Sequence, residues 1–303
     1  MHSQTSTNET RGVVLMMTSV LLFAVNVLVI RGLALHMPGI DGWMASLFRS
    51  IAGFIVVILC FSRGGNLSLH HVFTNPLLTL RGILGSIAIV LFYITVVHLG
   101  AGRAVVINLT YPMFAAIIAT LWLREPLRPL TFAWIVTGFA GLCIFLGSGH
   151  SSATLFYNLL GVAGAVLAAI VVVIIRRLHS TEHSSSIYAS QCIFGLFVSL
   201  PVSGPSVGNL PPSSWFILLG AGAVVAFGQL TMTFSYRHLT VSKGASLQMA
   251  LPLTTALGGF FLFGERFSAL ELTGAALTIA ATIQILRAPK LTPALTKHPQ
   301  PAS

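Results

Sequence analysis

Ten stretches of this chain are apolar for about 20 residues each, the length needed to carry an α-helix across the hydrocarbon core of a bilayer at 1.5 Å per residue. They run over 12–31, 41–62, 76–98, 102–123, 129–148, 155–176, 185–203, 213–236, 243–264 and 268–287. The connections are short and hold expected breakers: Pro38-Gly39, Gly64-Gly65-Asn66, Gly147-Ser148-Gly149, and Pro205 through Pro212. Only 7% of residues are charged against 55% hydrophobic, and the mean hydropathy is +0.91. A water-facing surface needs about 25% charged residues, so most of this surface has to face lipid. The expected fold class is an all-α membrane protein with ten transmembrane helices. Residues 1–11 and 288–303 read as polar tails, the second proline-rich and expected to be disordered.

The second half of the chain repeats the first. His98, Leu99, Pro112, Ala116 and Glu125 return 140 residues later as His238, Leu239, Pro252, Ala256 and Glu265, while Asn108 returns as Gln248 and Arg103 as Lys243. A proline in mid-helix and a glutamate at a helix end are physically demanding positions, so their recurrence outweighs five identities in 28. The domains read as 12–148 and 155–287, five spans each. The basic residues fix an orientation. With the N-terminus in the cytoplasm, twelve fall inside (Arg11, Arg63, Arg81, Arg124, Arg128, Arg176, Arg177, Arg237, Lys243, Arg287, Lys290, Lys297) and three outside (Arg31, Arg103, Arg266). Both termini are then cytoplasmic. An odd number of spans per half makes the halves inverted relative to each other, as in secondary transporters.

The residues of 101–141, AGRAVVINLTYPMFAAIIATLWLREPLRPLTFAWIVTGFAG, and of 241–277, with Phe-Gly-Glu-Arg at 263–266, resemble the signature region of EamA-type proteins of the drug/metabolite transporter superfamily. The resemblance covers both halves. It implies two inverted five-helix EamA repeats and transport of organic solutes, and it leaves the substrate open. The first copy departs from the pattern at Leu123-Arg124-Glu125-Pro126, where a glycine usually precedes the glutamate.

Within the spans, a proline removes its own N–H and strips the carbonyl four residues earlier of its partner. For Pro112 and Pro252 those carbonyls belong to Asn108 and Gln248, so each helix presents a loosened carbonyl and an amide side chain at one level. Such polar backbone is tolerated in the membrane only against protein or a water-filled cavity. These four residues are the expected centre of a substrate site. Tyr93, Tyr111, Gln229 and Asn26 are candidate walls. Arg49, about 12 Å into its span, is either a cationic anchor for an anionic group or a structural cation, and a rough alignment of the halves sets Gln191 opposite it. Arg81, one turn into the third span, reads as an interface residue. The three cysteines read as small core residues.

Of the six acidic residues none lies at mid-span, which argues against tight proton coupling through a carboxylate. There is no P-loop, no His-Glu-x-x-His, and no Cys-His cluster, so ATP-driven, metal-dependent and enzymatic readings lack their motifs. The net charge of +10 is scattered singly at span ends and does not read as nucleic-acid binding. The expected function is secondary transport, by alternating access, of a small polar or amphipathic organic metabolite such as an amino acid across the inner or plasma membrane. No cofactor is expected. The partners are the small-molecule substrate and the lipid bilayer, with a homodimer left open. The competing class is a membrane scaffold or receptor on the same fold.

Overall fold

In a computed structural model the chain is described over residues 2–37, 39–61, 69–122, 129–147, 152–178, 181–235, 238–239, 244 and 247–287. These residues form helices and no strands. The helices are α1 His2–His36, α2 Gly42–Phe61, α3 Leu69–Thr74, α4 Pro76–Leu99, α5 Ala101–Asn108, α6 Tyr111–Trp122, α7 Pro129–Gly147, α8 Ser152–Leu178, α9 Ser184–Val207, α10 Pro212–Ser235, α11 Ala250–Phe263 and α12 Ala269–Arg287. Among the described residues nine segments are long and apolar enough to span a bilayer, with α5 and α6 together forming one. The expected ninth span, 243–264, appears as the shorter α11, and residues 243, 245 and 246 lie outside the described set. Large side chains such as Leu59, Leu121, Phe216 and Phe261 are more than 70% exposed, as a lipid-facing surface requires.

Three expectations are corrected in detail. The polar segment before residue 12 continues α1, which begins at His2. A short helix, α3, precedes α4, where Asn75 accepts from Leu77 N and Pro76 starts the helix. Cys60 and Cys143 are exposed and only Cys192 is buried, because the outer face of a membrane helix is as apolar as its core face. The tail 288–303 lies outside the described residues.

Helix pairs in contact include α7 with α12, α2 with α9, α5 with α11, α4 with α8, α9 and α2, α10 with α1 and α2, α6 with α8, and α1 with α11. Lipid supplies no hydrophobic drive between helices, so close backbone approach and buried hydrogen bonds must hold them. Gly141 and Gly274 show this at the α7–α12 crossing. A Cβ on Gly274 would stand 2.6 Å from Phe145 N and 2.7 Å from Gly141 O. Thr278 Oγ1 donates across the same crossing to Gly138 O at 3.4 Å.

One end of the bundle is stitched by Glu265. α11 ends in an αL cap: Gly264, at φ 66°, donates to Phe260 O, and Glu265 N donates to Gly259 O. The turn delivers the Glu265 carboxylate to the N-terminus of α5, where it accepts from Ala101 N at 2.8 Å and Gly102 N at 3.3 Å, and it pairs with Arg31 Nε at 3.3 Å. Gly100, at φ 98°, leaves room for it, since a Cβ there would collide with the carboxylate. Arg103 pairs with Glu271 beside it. The other end is tied by Glu182, which accepts from Asn75 Nδ2 at 3.0 Å and meets His71 at 3.4 Å.

The α7–α12 crossing predicts that Gly274→Val costs about 1–3 kcal/mol through overpacking. A lowered thermal midpoint of the purified protein in detergent checks this. An unchanged midpoint contradicts the close crossing.

Candidate functional site

A cavity of about 270 Å³ lies among α1, α2, α4, α5, α6, α8, α9, α10 and α11. Its apolar wall includes Phe23, Phe92, Val105 and Val171. Its polar lining is Asn26, Arg49, Asn108, Tyr111, Gln191 and Gln229. Amphipathic walls with a few placed polar groups suit a small organic ligand.

The break in the fourth span puts Asn108 there. α5 stops at Asn108, Leu109 and Thr110 turn, and α6 starts at Tyr111. Pro112 has no N–H to offer the Asn108 carbonyl, and Thr110 N and Thr110 Oγ1 both bond to Ile107 O instead. The single kinked helix expected at 102–123 is therefore two helices. The second half has a matching discontinuity: Met249, with φ −67° and ψ −5°, precedes α11, as Leu109, with φ −73° and ψ 7°, ends α5.

The structure brings Asn108, Tyr111, Asn26, Arg49 and Gln229 to one cavity. Pro112 and Pro252 are buried and follow directly on the lining residues Tyr111 and Leu251. Gln248 is not among the lining residues; its Nε2 lies 2.6 Å from Met232 Sδ. Tyr93 is fully buried behind the wall and acts through its hydroxyl.

That hydroxyl is the middle of a directed chain. Arg49 Nη1 donates to Tyr93 OH at 3.3 Å, Tyr93 OH donates to Asn26 Oδ1 at 2.9 Å, and Asn26 Nδ2 donates to Ala221 O at 2.9 Å. A guanidinium can only donate, so it sets the direction of every later bond. The chain joins α2, α4, α1 and α10. The Arg49 guanidinium also lies 5.9 Å from the Tyr93 ring centroid.

Arg81 is not the interface residue the sequence suggests. It is 5% exposed, and its Nη2 donates to Gln191 Oε1 at 2.8 Å. Position within a span was the only available signal, and it does not report which face of α4 turns inward. Among the described residues no carboxylate lines the cavity and no cluster of side chains has the makings of a metal site.

The cavity lies at the middle of the bundle: Asn26 and Val105 are a turn or so from Arg31 and Ala101 at the Glu265 end, and other lining residues lie farther from it. Ser214 of α10 meets Met37 at the end of α1, and His98 stacks on Tyr157 at 3.9 Å, so α8 and α10 both start at the Glu265 end. Their lining residues, Val171 and Gln229, belong to their far portions.

Comparison with known proteins places this geometry in a family. The EamA-like transporter family model matches residues 10–147 and again 155–287. The pseudopaline exporter CntI of Pseudomonas aeruginosa is 26% identical over 246 residues, covering 80% of this chain and 85% of that protein. A riboflavin transporter of Brucella anthropi is 24% identical over 259 residues, covering 82% and 89%. A solved crystal structure with 19% identity shares the fold at a TM-score of 0.62 over 91% of this chain and 95% of its own. The chain is a multi-pass membrane protein and belongs to the EamA-like transporter family.

Proposed function

We propose that this transporter carries a small polar or amphipathic organic metabolite, such as an amino acid or related compound, by alternating access of the central cavity. The observation that carries the reading is the cavity itself, with amides, a tyrosine and an arginine beside the helix break at Leu109–Thr110. Relatives named for pseudopaline export and for riboflavin transport fit a common scaffold with variable solutes.

We read the chain as ten spans in two inverted repeats, 12–148 and 155–287, and several of the helix pairs support this, although the α2–α4 pair has no comparable counterpart between α9 and α10. Number the spans in order and exchange each with the one five places on. The α2–α9, α5–α11 and α7–α12 pairs map onto themselves. The α4–α8 pair maps onto α1–α10, α4–α9 onto α2–α10, and α6–α8 onto α1–α11. This exchange is what a two-fold axis in the membrane plane requires. The matched discontinuities at Leu109 and Met249 support it.

The ion pairs at the Glu265 end join the halves, since Arg31 and Arg103 come from the first and Glu265 and Glu271 from the second. With the basic residues oriented inward, that end is exterior. Exposure to the exterior then requires both pairs to part while the helices at the Glu182 end close. The absence of a carboxylate from the lining supports flux down the solute gradient without strict proton coupling. A scaffold has no use for such a cavity or for paired latches.

The topology predicts that single cysteines at Ser151 and Ser206 react with impermeant reagents from outside intact cells. Reaction only after permeabilisation contradicts the orientation. The site predicts that Asn108→Ala lowers uptake into proteoliposomes by about tenfold, the effect of losing one buried hydrogen-bonding group in a polar site, with expression retained. Wild-type rates hold at Asn108→Ala if the cavity is not the route. Uptake with and without an imposed pH difference should agree within about twofold; uphill accumulation driven by protons alone refutes the uncoupled reading.

A further inference from the structure

The acidic side chains described in the bundle are all engaged at its ends. Glu265 and Glu271 pair with Arg31 and Arg103, Glu182 holds Asn75 and His71, and Asp41 caps Met44 N. Arg49 and Arg81 pair with none of them. They come from α2 and α4 and converge on one place: Arg81 bonds Gln191, which lines the same cavity as Arg49. Two like charges held together inside a membrane protein, without a counter-ion, need an explanation beyond packing.

The hydrogen bonding supplies one. Arg81 spends Nη2 on Gln191 Oε1, and its buried Nε and Nη1 have no hydrogen-bond partner among the described residues. A structural arginine in a span would be expected to satisfy those groups on neighbouring carbonyls. Gln191, from α9, stands between Arg81 and the cavity it lines. Arginine accepts no hydrogen bond, so the oxygen of Gln191 must face Arg81 and its NH2 is the end left for the cavity. Arg49 lines the same wall. The wall formed by Arg49 and Gln191 therefore presents donors, with the charge of Arg81 behind it.

We infer that Arg49, Gln191 and Arg81 form an oxyanion-recognition site in the central cavity, and that the transported solute is a small organic anion whose carboxylate or phosphate docks there. Its apolar part lies against Phe23, Phe92 and Val171. Arg49 and Gln191 touch the ligand. Arg81 acts through Gln191, fixing its orientation and adding charge. This rests on the transporter reading above and narrows its substrate class. The ligand supplies the missing counter-charge, so binding and charge neutralisation are one event.

The test uses the full chain purified in detergent, with thermal stabilisation as the readout. The probes are benzoate, N-acetyl-leucine and N-acetyl-phenylalanine, each against its neutral carboxamide, with phenyl phosphate to separate phosphate from carboxylate. At least one acid or phenyl phosphate should stabilise the protein, with the neutral amides inert. Arg49→Gln should weaken that binding on the order of tenfold or more. Arg81→Met should also abolish it, yet raise the midpoint of the ligand-free protein, because an uncompensated buried charge is removed. Arg81→Lys, which keeps the charge, should retain part of the binding. Equal binding of acids and amides, no binding by any anion, or unaltered anion binding in both Arg49→Gln and Arg81→Met overturns the site. Flux in proteoliposomes separates the two readings. Neutral amides crossing while anions do not would keep the transporter and remove the anion site. Anion binding with no flux of any solute would do the reverse.

Discussion

A guanidinium between helices in hydrocarbon has no water to bond, so the protein must hand it acceptors, and every acceptor must come from another helix or from the helix backbone. Arg49 meets this demand through Tyr93, Asn26 and the Ala221 carbonyl. Because the first member only donates, the rotation of the tyrosine hydroxyl and the flip of the asparagine amide follow without choice. Four helices of the cavity wall are thereby fixed relative to one another by polar bonds, where apolar contacts with lipid as the alternative would specify little.

The second constraint is at the Glu265 end. A single residue continues the turn that ends α11 through its backbone N–H, while its carboxylate caps the N-terminus of α5 and pairs with Arg31 of α1. Gly100 and Gly259 make way for it: a Cβ at either would run into the carboxylate. These bonds lie at a bundle end, where the paired side chains are largely buried, whereas the Tyr93 chain runs along the wall of the central cavity.

Much of this was legible in the sequence, for physical reasons. Span length and apolarity are dictated by the bilayer, so most helices emerge with boundaries within a few residues, α1 and the ninth span excepted. The break near Pro112 was readable because a missing N–H has a fixed consequence four residues back. The placements of Arg81 and Gln248 were not. Both depend on the rotation of a helix about its own axis, and in a segment apolar on all sides no hydrophobic face records that rotation. Gln191, by contrast, was reached through the internal repeat, which carries position from one half to the other. Glu125, the counterpart of Glu265, lies outside the described residues, so the latch is known at one end of the bundle alone.

The account turns on whether the cavity meets water from one face at a time. A cysteine-free background carrying Asn108→Cys, in membrane vesicles of known orientation, measures this through an impermeant thiol reagent applied to each face in turn. The account predicts labelling from the face that carries Glu182 and protection from the face that carries Glu265, with Glu265→Gln reducing that protection. Labelling from neither face, or equally from both, would contradict it.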